Sequence, residues 1–193
     1  MSPAGGNLKE PVTESTKKAA RCFYALEQNR ADQKRYPAVN PIDSYSKYLE
    51  YPEIREHLAQ KVRPGWVEMV EKAKNIIRKG KDANDQINIL GDDGVPMSYH
   101  ELFWKSELVD FVILQQDAFD AIDSVTPMDR QQYMLELVLS ICEKSFTFED
   151  YEQCRNFFKE LINLLRQMNY SEFHSEKFEN YNEQLKNLLS NGN

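Results

Sequence analysis

Residues 64–80 read PGWVEMVEKAKNIIRKG, and this stretch decides the fold class. Its apolar residues recur at the spacing of one face of an α-helix, and they are Trp66, Met69, Val70, Ala73, Ile76 and Ile77. Pro64 favours a helix start, and Gly80 favours a stop just beyond the last apolar residue. The stretch therefore predicts an amphipathic helix with one buried face, and makes Arg78, Lys79 and Lys81 charges near a helix end.

The same spacing dominates the chain from Ser44 onward. Ser98 and Glu101 form a capping-box pattern, because each side chain can satisfy a free backbone N–H, and the helix they open is apolar almost all round to about Gln115. Thr126 and Thr147 each open a further helix. The last two predicted helices carry apolar positions at Cys154, Phe158, Leu161, Leu165 and Met168, and at Phe178, Tyr181, Leu185 and Leu188. We expect at least five helices between Ser44 and Ser190.

The first 43 residues are different. Residues 1–12 are rich in Pro and Gly and predict a loop, and a helical pattern runs from Thr13 to about Lys34. Residues 35–39 predict an extended piece, because Pro37 disfavours helix at Tyr36. The fold class is therefore mainly α, a helical bundle after a short non-helical piece, with no sheet of more than two or three strands.

Composition excludes several classes of function. The 193 residues include 24 basic and 31 acidic side chains, with no long run of one sign, so an electrostatic nucleic-acid surface is not expected. There is no apolar run of about 20 residues and no signal peptide, which predicts a soluble cytoplasmic protein without direct membrane contact. Cys22, Cys142 and Cys154 lie in apolar patterns at no metal-like spacing, which predicts buried thiols.

Residue-level signs of catalysis are missing. His57, His100 and His174 are scattered, without the i, i+4 pairing of a helical metal site, which favours surface or helix-cap roles and no metal site. The sequence contains no G-x-x-x-x-G-K-[ST] phosphate loop, so we assign no catalytic residue. From composition and periodicity alone, the chain is a helical domain and a candidate interaction module.

Three segments carry a resemblance to a known family. Residues 2–7 (SPAGGN) followed by residues 10–13 (EPVT) resemble the S-P-[PA]-G-G-D-x-x-[ED]-P-V-T stretch of the A subunits of V/A-type rotary ATP synthases. Residues 36–47 (YPAVNPIDSYSK) are similar to F-P-A-I-N-W-x-x-S-Y-S of that family and to Y-P-A-V-D-P-L-D-S of F-type beta subunits. The third segment, from Ile89 to Phe119, resembles a turn-helix that ends in L-Q-Q-N-A-F.

The resemblance covers roughly residues 2–150 and departs from the family pattern at Asn7, Tyr36 and Pro41, where aspartate, phenylalanine and tryptophan are usual. It implies that the chain is a C-terminal fragment of the catalytic A subunit. Residues 1–43 would be the end of a nucleotide-binding domain and residues 44–193 a helical C-terminal domain. Met1 directly before a mid-domain motif suggests a cloned fragment or a truncated reading frame.

The same resemblance implies function. The whole subunit would couple ATP synthesis or hydrolysis to proton or sodium transport, with ATP or ADP and Mg as its ligands. It would alternate with B subunits around central-stalk subunits, peripheral to the membrane. The chain alone, lacking a phosphate loop and a catalytic glutamate, is expected to be inactive and to hold no nucleotide. The alternative is a non-enzymatic helical adaptor that binds other proteins and no nucleotide.

Two sites follow from this resemblance. Tyr36 and Phe119 are candidates for stacking on adenine, with Gln116 and Ala118 at the edge of the pocket. We expect the two rings to face one another across a shallow, partly exposed cleft; ordinary core aromatics are the alternative. The second site is a rotor contact at the turn that contains Asp92, Asp93, Val95 and Pro96, for which the alternative is an ordinary solvated turn.

Overall fold

The computed structural model describes residues 9–191, so the first motif, residues 2–7, lies outside the described residues. The chain begins with a mixed segment. Helix α1 covers Pro11–Ala19, strand β1 Cys22–Leu26, helix α2 Gln28–Asp32 and strand β2 Val39–Ser46. The helical pattern predicted from Thr13 to Lys34 is therefore wrong in its middle, where β1 interrupts it. Cys22 and Phe23, which lie inside that predicted helical pattern, are instead paired with Ser46 and Tyr45 of β2.

β1 and β2 form an antiparallel two-stranded sheet. Phe23 pairs with Tyr45 but Ala25 pairs with Asn40, so β2 bulges between the two pairs. The Oδ1 of Asn40 accepts the backbone N–H groups of Ile42 and Asp43, at 2.8 and 3.0 Å, and thereby holds the bulge. Pro41, which cannot donate to a strand partner, lies in this bulge, and the bulge lets Ile42 pack against the helical core.

Helices make up the rest. A 3₁₀ turn at Lys47–Glu50 leads into α3 (Pro52–Lys61) and α4 (Trp66–Leu90). A second 3₁₀ turn, Asp92–Gly94, leads into α5 (Met97–Val109), which continues as a π-helical turn over Asp110–Leu114. The last three helices are α6 (Met128–Glu143), α7 (Tyr151–Asn169) and α8 (Glu176–Asn191). The prediction of at least five helices and a small sheet is confirmed.

Gly80 does not end its helix. α4 continues ten residues further, to Leu90, and Gly80 is buried in its middle. A Cβ placed on Gly80 would lie 2.0 Å from the Cβ of Ser106 on α5, so the absence of a side chain lets the two helices approach closely. Gly91, with φ 81°, follows the last residue of the helix instead. Arg78, Lys79 and Lys81 are consequently mid-helix residues rather than helix-end charges.

Two predicted helix starts are also displaced. α5 begins at Met97 after Pro96, without a side-chain cap, so the capping box of Ser98 and Glu101 is not formed. α7 begins at Tyr151 rather than near Thr147, because Asp150 caps it by accepting the N–H of Gln153.

The core lies between α4, α5, α6, α7 and α8. The predicted apolar stripe of α7 is confirmed, since Cys154, Phe158, Leu161, Leu165 and Met168 are all fully buried. Ala73 and Ile77 of α4 belong to the same core, and the other apolar residues of the opening stretch pack against it. The predicted domain boundary after residue 43 falls inside β2, and the division into two domains stays a prediction.

Candidate nucleotide cleft and tip

A cleft of about 420 Å³ opens where three parts of the chain meet. They are the segment between α2 and β2, the π-helical turn with the loop that follows it, and the end of α7. All four residues predicted for an adenine pocket line it. Its lining consists of Lys34, Tyr36, Phe111, Gln115, Gln116, Asp117, Ala118, Phe119, Asp123, Arg166, Asn169 and Tyr170. The volume falls in the range of small-molecule sites, and the aromatic lining provides flat apolar faces.

Tyr36 forms one side of this cleft. It lies between α2 and β2, and its ring is 53% exposed. The peptide bond between Tyr36 and Pro37 is cis. The backbone N–H of Gln116 donates to the carbonyl of Tyr36 at 3.0 Å, which fastens this segment to the loop after α5.

Phe119 lies on the outer side of the cleft and is 99% exposed. It belongs to residues 115–127, the loop that joins the π-helical turn to α6. In the described part of the chain, neither the Tyr36 ring nor the Phe119 ring is paired with another aromatic ring, so the two rings line one cleft without stacking on each other. A flat ligand would supply the surface that both rings lack.

The side-chain amides of Gln115 and Gln116, which both line the cleft, differ in their hydrogen bonds. The Nε2 of Gln116 donates to the carbonyl of Asp123 at 2.8 Å, so this predicted edge residue is engaged in holding the loop. Gln115, which we did not single out from the sequence, also lines the cleft, and its buried Nε2 has no hydrogen-bond partner. That nitrogen is shielded from solvent, so a ligand in the cleft does not reach it in this arrangement. Ala118 adds a small, exposed apolar surface.

A buried charge cluster lies behind the Tyr36 side. Arg30 donates to both carboxylate oxygens of Asp110, at 2.8 and 2.7 Å. Arg35 donates to both oxygens of Glu107, at 2.9 and 2.8 Å, and to Asp110 at 2.6 Å. The cluster balances two positive and two negative charges and ties the segment from α2 to Tyr36 onto α5 and its π-helical turn.

Arg35 is the centre of this cluster. Burial lowers the pKa of its guanidinium, but the hydrogen bonds and charges of Glu107 and Asp110 outweigh burial, so its pKa lies above the ordinary value. The guanidinium also lies over the ring of Phe111, at 4.7 Å from the centroid, and Phe111 lines the cleft. Sequence reasoning missed these four charged residues because their pairing joins positions about 70 to 80 residues apart.

The predicted rotor-contact residues lie together at the tip formed by α4 and α5. Asp92, Asp93 and Pro96 are exposed and Val95 is half-buried. Beside them, Ile89 and Leu90 at the end of α4 are 74% and 56% exposed. The tip therefore presents apolar side chains next to two carboxylates.

His100 anchors this tip from inside. It is buried, at 4% exposure, so of the two roles expected from the sequence, surface or helix cap, the surface role is wrong for this residue. Its Nε2 donates to the carbonyl of Asp92 at 2.9 Å, and its ring stacks on Tyr151 at 5.7 Å between centroids. This side chain therefore links the turn to α5 and, through Tyr151, to α7.

The thiols follow the prediction in two of three cases. Cys142 and Cys154 are buried, and burial raises the pKa of each thiol to about 12, whereas Cys22 is half-buried. Within residues 9–191, no three His, Cys, Asp or Glu side chains gather closely enough to hold a metal ion. None of the helices described for this chain has the length and apolar character needed to cross a bilayer.

Known proteins match this chain in sequence and in fold. Residues 55–152 match the family described as the C-terminal domain of V and A type ATP synthase. The V-type ATP synthase alpha chains of Chlamydia abortus and Chlamydia trachomatis are 39% and 40% identical over 98% of this chain. The aligned part is 32% of each relative, so the chain spans about a third of their length.

A solved structure shares the fold at low sequence identity. It is the structure of a unique ATP synthase subunit, NeqB, from Nanoarcheaum equitans, with a TM-score of 0.55 and 16% identity. The match covers 74% of this chain and 33% of that one. With the helical architecture and the match over residues 55–152, the chain belongs to the family of C-terminal domains of V and A type ATP synthases.

Proposed function

We propose that this chain acts as the C-terminal part of the A subunit of a V/A-type rotary ATP synthase and forms the adenine side of its nucleotide pocket. The whole subunit would couple ATP synthesis or hydrolysis to proton or sodium transport. The observation that carries the proposal is the joint cleft: Tyr36 and Phe119, far apart in sequence, line one opening with unpaired, exposed rings.

The cleft suits a purine base for physical reasons. Stiff aromatic rings lose little conformational entropy when they hold a flat heterocycle, and base–aromatic stacking contributes about 1–3 kcal/mol per base. The cleft would contribute to the affinity and orientation of the nucleotide, not to the chemistry of its phosphates.

Phosphate chemistry would come from residues outside these 193. The sequence has no G-x-x-x-x-G-K-[ST] loop to bind the phosphates of ATP with Mg. We therefore propose that the 193-residue chain alone does not hydrolyse ATP and binds it weakly. Magnesium-dependent phosphate release from the pure chain would contradict this part of the proposal.

The tip would contact the central stalk. The proposal is supported by the exposed Ile89 and Leu90 beside Asp92 and Asp93, since exposed apolar side chains in a cluster mark contact surfaces. In the assembled enzyme, with B subunits as neighbours in the ring, a cysteine placed at Asp93 should cross-link to a stalk subunit. A cysteine at the exposed Lys159 on α7 is the control, and equal cross-linking at both positions would contradict the contact.

Substitution of Phe119 tests the nucleotide cleft. In the assembled enzyme, Phe119→Ala should raise the KM for ATP at least severalfold and leave the stability unchanged, because the ring is 99% exposed. Val125→Ala is a matched control, since Val125 is 71% exposed in the same loop but does not line the cleft. An unchanged KM for Phe119→Ala would contradict the role of this ring in binding adenine.

A further inference from the structure

The position of Phe119 is set by the backbone of its loop. With 99% of the residue exposed, the ring gains almost no packing against the rest of the chain. For such a side chain the backbone fixes the position of Cα and the direction of the Cα–Cβ bond, and these set the space that the ring can reach. The hydrogen bonds that fix residues 116–119 therefore decide whether the ring stands beside the cleft.

Two of those hydrogen bonds end on Asp123, and another joins the backbone N–H of Gln116 to the carbonyl of Tyr36. The Oδ1 of Asp117 accepts the N–H of Phe119 at 2.9 Å, and the Oδ2 of Asp123 accepts the N–H of Asp117 at 2.6 Å. The carbonyl of Asp123 also accepts from the side chain of Gln116 at 2.8 Å. Asp123 is 6% exposed, so its carboxylate is sheltered from water that would compete for the Asp117 N–H.

Arg130 holds the other end of the loop. It lies in the first turn of α6 at 1% exposure. Its Nη2 lies 3.1 Å from the Oγ1 of Thr126 and 3.4 Å from the carbonyl of Ile122, and donates to both. The same nitrogen lies 3.8 Å from the Oδ1 of Asp123. All three partners belong to the loop, so the guanidinium connects α6 to residues 122–126 and restrains them.

The pair is not arranged for strong mutual stabilisation. Burial, the largest influence, raises the pKa of Asp123, and burial likewise lowers the pKa of Arg130 despite the opposite charge between them. The Nε of Arg130 is buried without a partner. A well-packed apolar pair in this volume would avoid the desolvation cost. The contacts these two side chains make are instead geometric restraints on the loop.

We propose that Asp123 and Arg130 are positioning residues for the cleft, fixing residues 116–119 so that the exposed Phe119 ring is presented to the bound base. The restraint of the loop stands on the hydrogen bonds alone; the identity of the ligand rests on the proposed function. Asp123 also lines the cleft, but its carboxylate is occupied by the backbone N–H of Asp117. Both act through Phe119, which makes the inference testable separately from nucleotide binding.

The first test is amide hydrogen exchange in the 193-residue chain, followed by NMR. Asp123→Ala and Arg130→Met should each accelerate exchange at Asp117 and Phe119 at least tenfold while the α7 core amides keep their rates. Asp129→Asn is the control, because it removes one exposed charge beside Arg130 and should change neither rate. Unchanged exchange at Asp117 and Phe119 in the two variants overturns the proposal.

A milder variant covers the case in which Asp123→Ala does not fold. Asp123→Asn keeps an oxygen for the Asp117 N–H but removes the charge that strengthens this hydrogen bond. Exchange at Asp117 should then rise at least threefold. A rate equal to that of the unmodified chain overturns the proposal in this variant as well.

The second test is kinetic and uses the assembled enzyme. Asp123→Ala should raise the KM for ATP with kcat within about twofold, and adding Phe119→Ala should raise KM no further than Phe119→Ala alone, because both changes act through one ring. Effects that multiply in the double variant overturn the positioning role. If Phe119→Ala alone leaves KM unchanged, the adenine assignment fails while the exchange experiment still decides the positioning role.

Discussion

The backbone N–H of Gln116 donates a hydrogen bond to the carbonyl of Tyr36 at 3.0 Å. This bond joins the loop after α5 to the segment before β2. Tyr36 directly follows Arg35, which belongs to the buried charge cluster. The two sides of the cleft are therefore connected through the backbone and through buried ion pairs, without contact between the Tyr36 and Phe119 rings. The position of Tyr36 relative to α5 depends on these links.

We expect removal of one partner of the charge cluster to destabilise the fold strongly. Asp110→Ala removes the carboxylate that pairs with Arg30 and one of the two carboxylates that pair with Arg35. Breaking a buried ion pair by removing one partner costs about 3–5 kcal/mol. Urea unfolding measures the change. The matched control is Arg55→Ala, which removes the exposed ion pair with Glu68 and should change stability little. Equal effects of the two substitutions would show that the cluster contributes no more than a surface pair.

A second prediction concerns the contact between α4 and α5. Gly80→Ala raises helix propensity by about 1 kcal/mol but places a methyl group against Ser106, and overpacking of this kind costs about 1–3 kcal/mol. We therefore expect a lower Tm for Gly80→Ala. Adding Ser106→Gly removes the colliding atoms and should recover part of the loss. A Gly80→Ala variant more stable than the original chain by the full helix-propensity gain of about 1 kcal/mol would contradict the close approach of these helices.

Gly80 also illustrates what the sequence could and could not predict. Apolar periodicity identified the buried faces of α4 and α7 correctly, because burial follows the helical repeat. A glycine in a helical pattern has two local explanations, a stop or a close contact, and only the position of Ser106 decides between them. Likewise β1 was hidden inside a helical pattern, because five residues show too few repeats to separate the two periods.

The residues of the candidate site also fall into those that the sequence indicated and those that it did not. Tyr36 and Phe119 were found through the family resemblance, whereas periodicity gave no reason to bring them together. Arg30, Arg35, Glu107 and Asp110 were missed, since ion pairs across 72 to 80 positions leave no local pattern. The sequence also could not separate Gln115 from Gln116. Only the structure shows that the Nε2 of Gln116 donates to the carbonyl of Asp123 while the Nε2 of Gln115 is buried without a partner.

The three cysteines should differ in reactivity. Cys142 and Cys154 are buried with thiol pKa values raised to about 12, whereas Cys22 is half-buried on β1. At pH 8 we expect Cys22 to react with iodoacetamide at least tenfold faster than the other two, because the thiolate is the nucleophile and must be accessible. Peptide mass spectrometry after timed labelling measures this, with labelling in urea as the control that all three sites can react. Comparable rates in the folded chain would contradict the burial of Cys142 and Cys154.

The raised thiol pKa values of Cys142 and Cys154 should lower the free energy of unfolding at alkaline pH. Their pKa values are raised on folding from about 9 to about 12, so between these values the unfolded chain releases thiol protons that the folded chain keeps. Stability should therefore fall as pH rises above about 9, by up to about 1.4 kcal/mol per pH unit for each thiol. Cys142→Ala and Cys154→Ala should each reduce the slope of unfolding free energy against pH. Slopes identical to that of the original chain would contradict the shift.

The adenine assignment is tested most directly by a structure of the whole A subunit in its assembly with ADP bound. We expect the base in the cleft, with its ring centre about 4.5–7 Å from the ring centroids of both Tyr36 and Phe119, the range in which aromatic rings interact. A base bound more than about 10 Å from both rings, with the cleft open to water, would contradict the account.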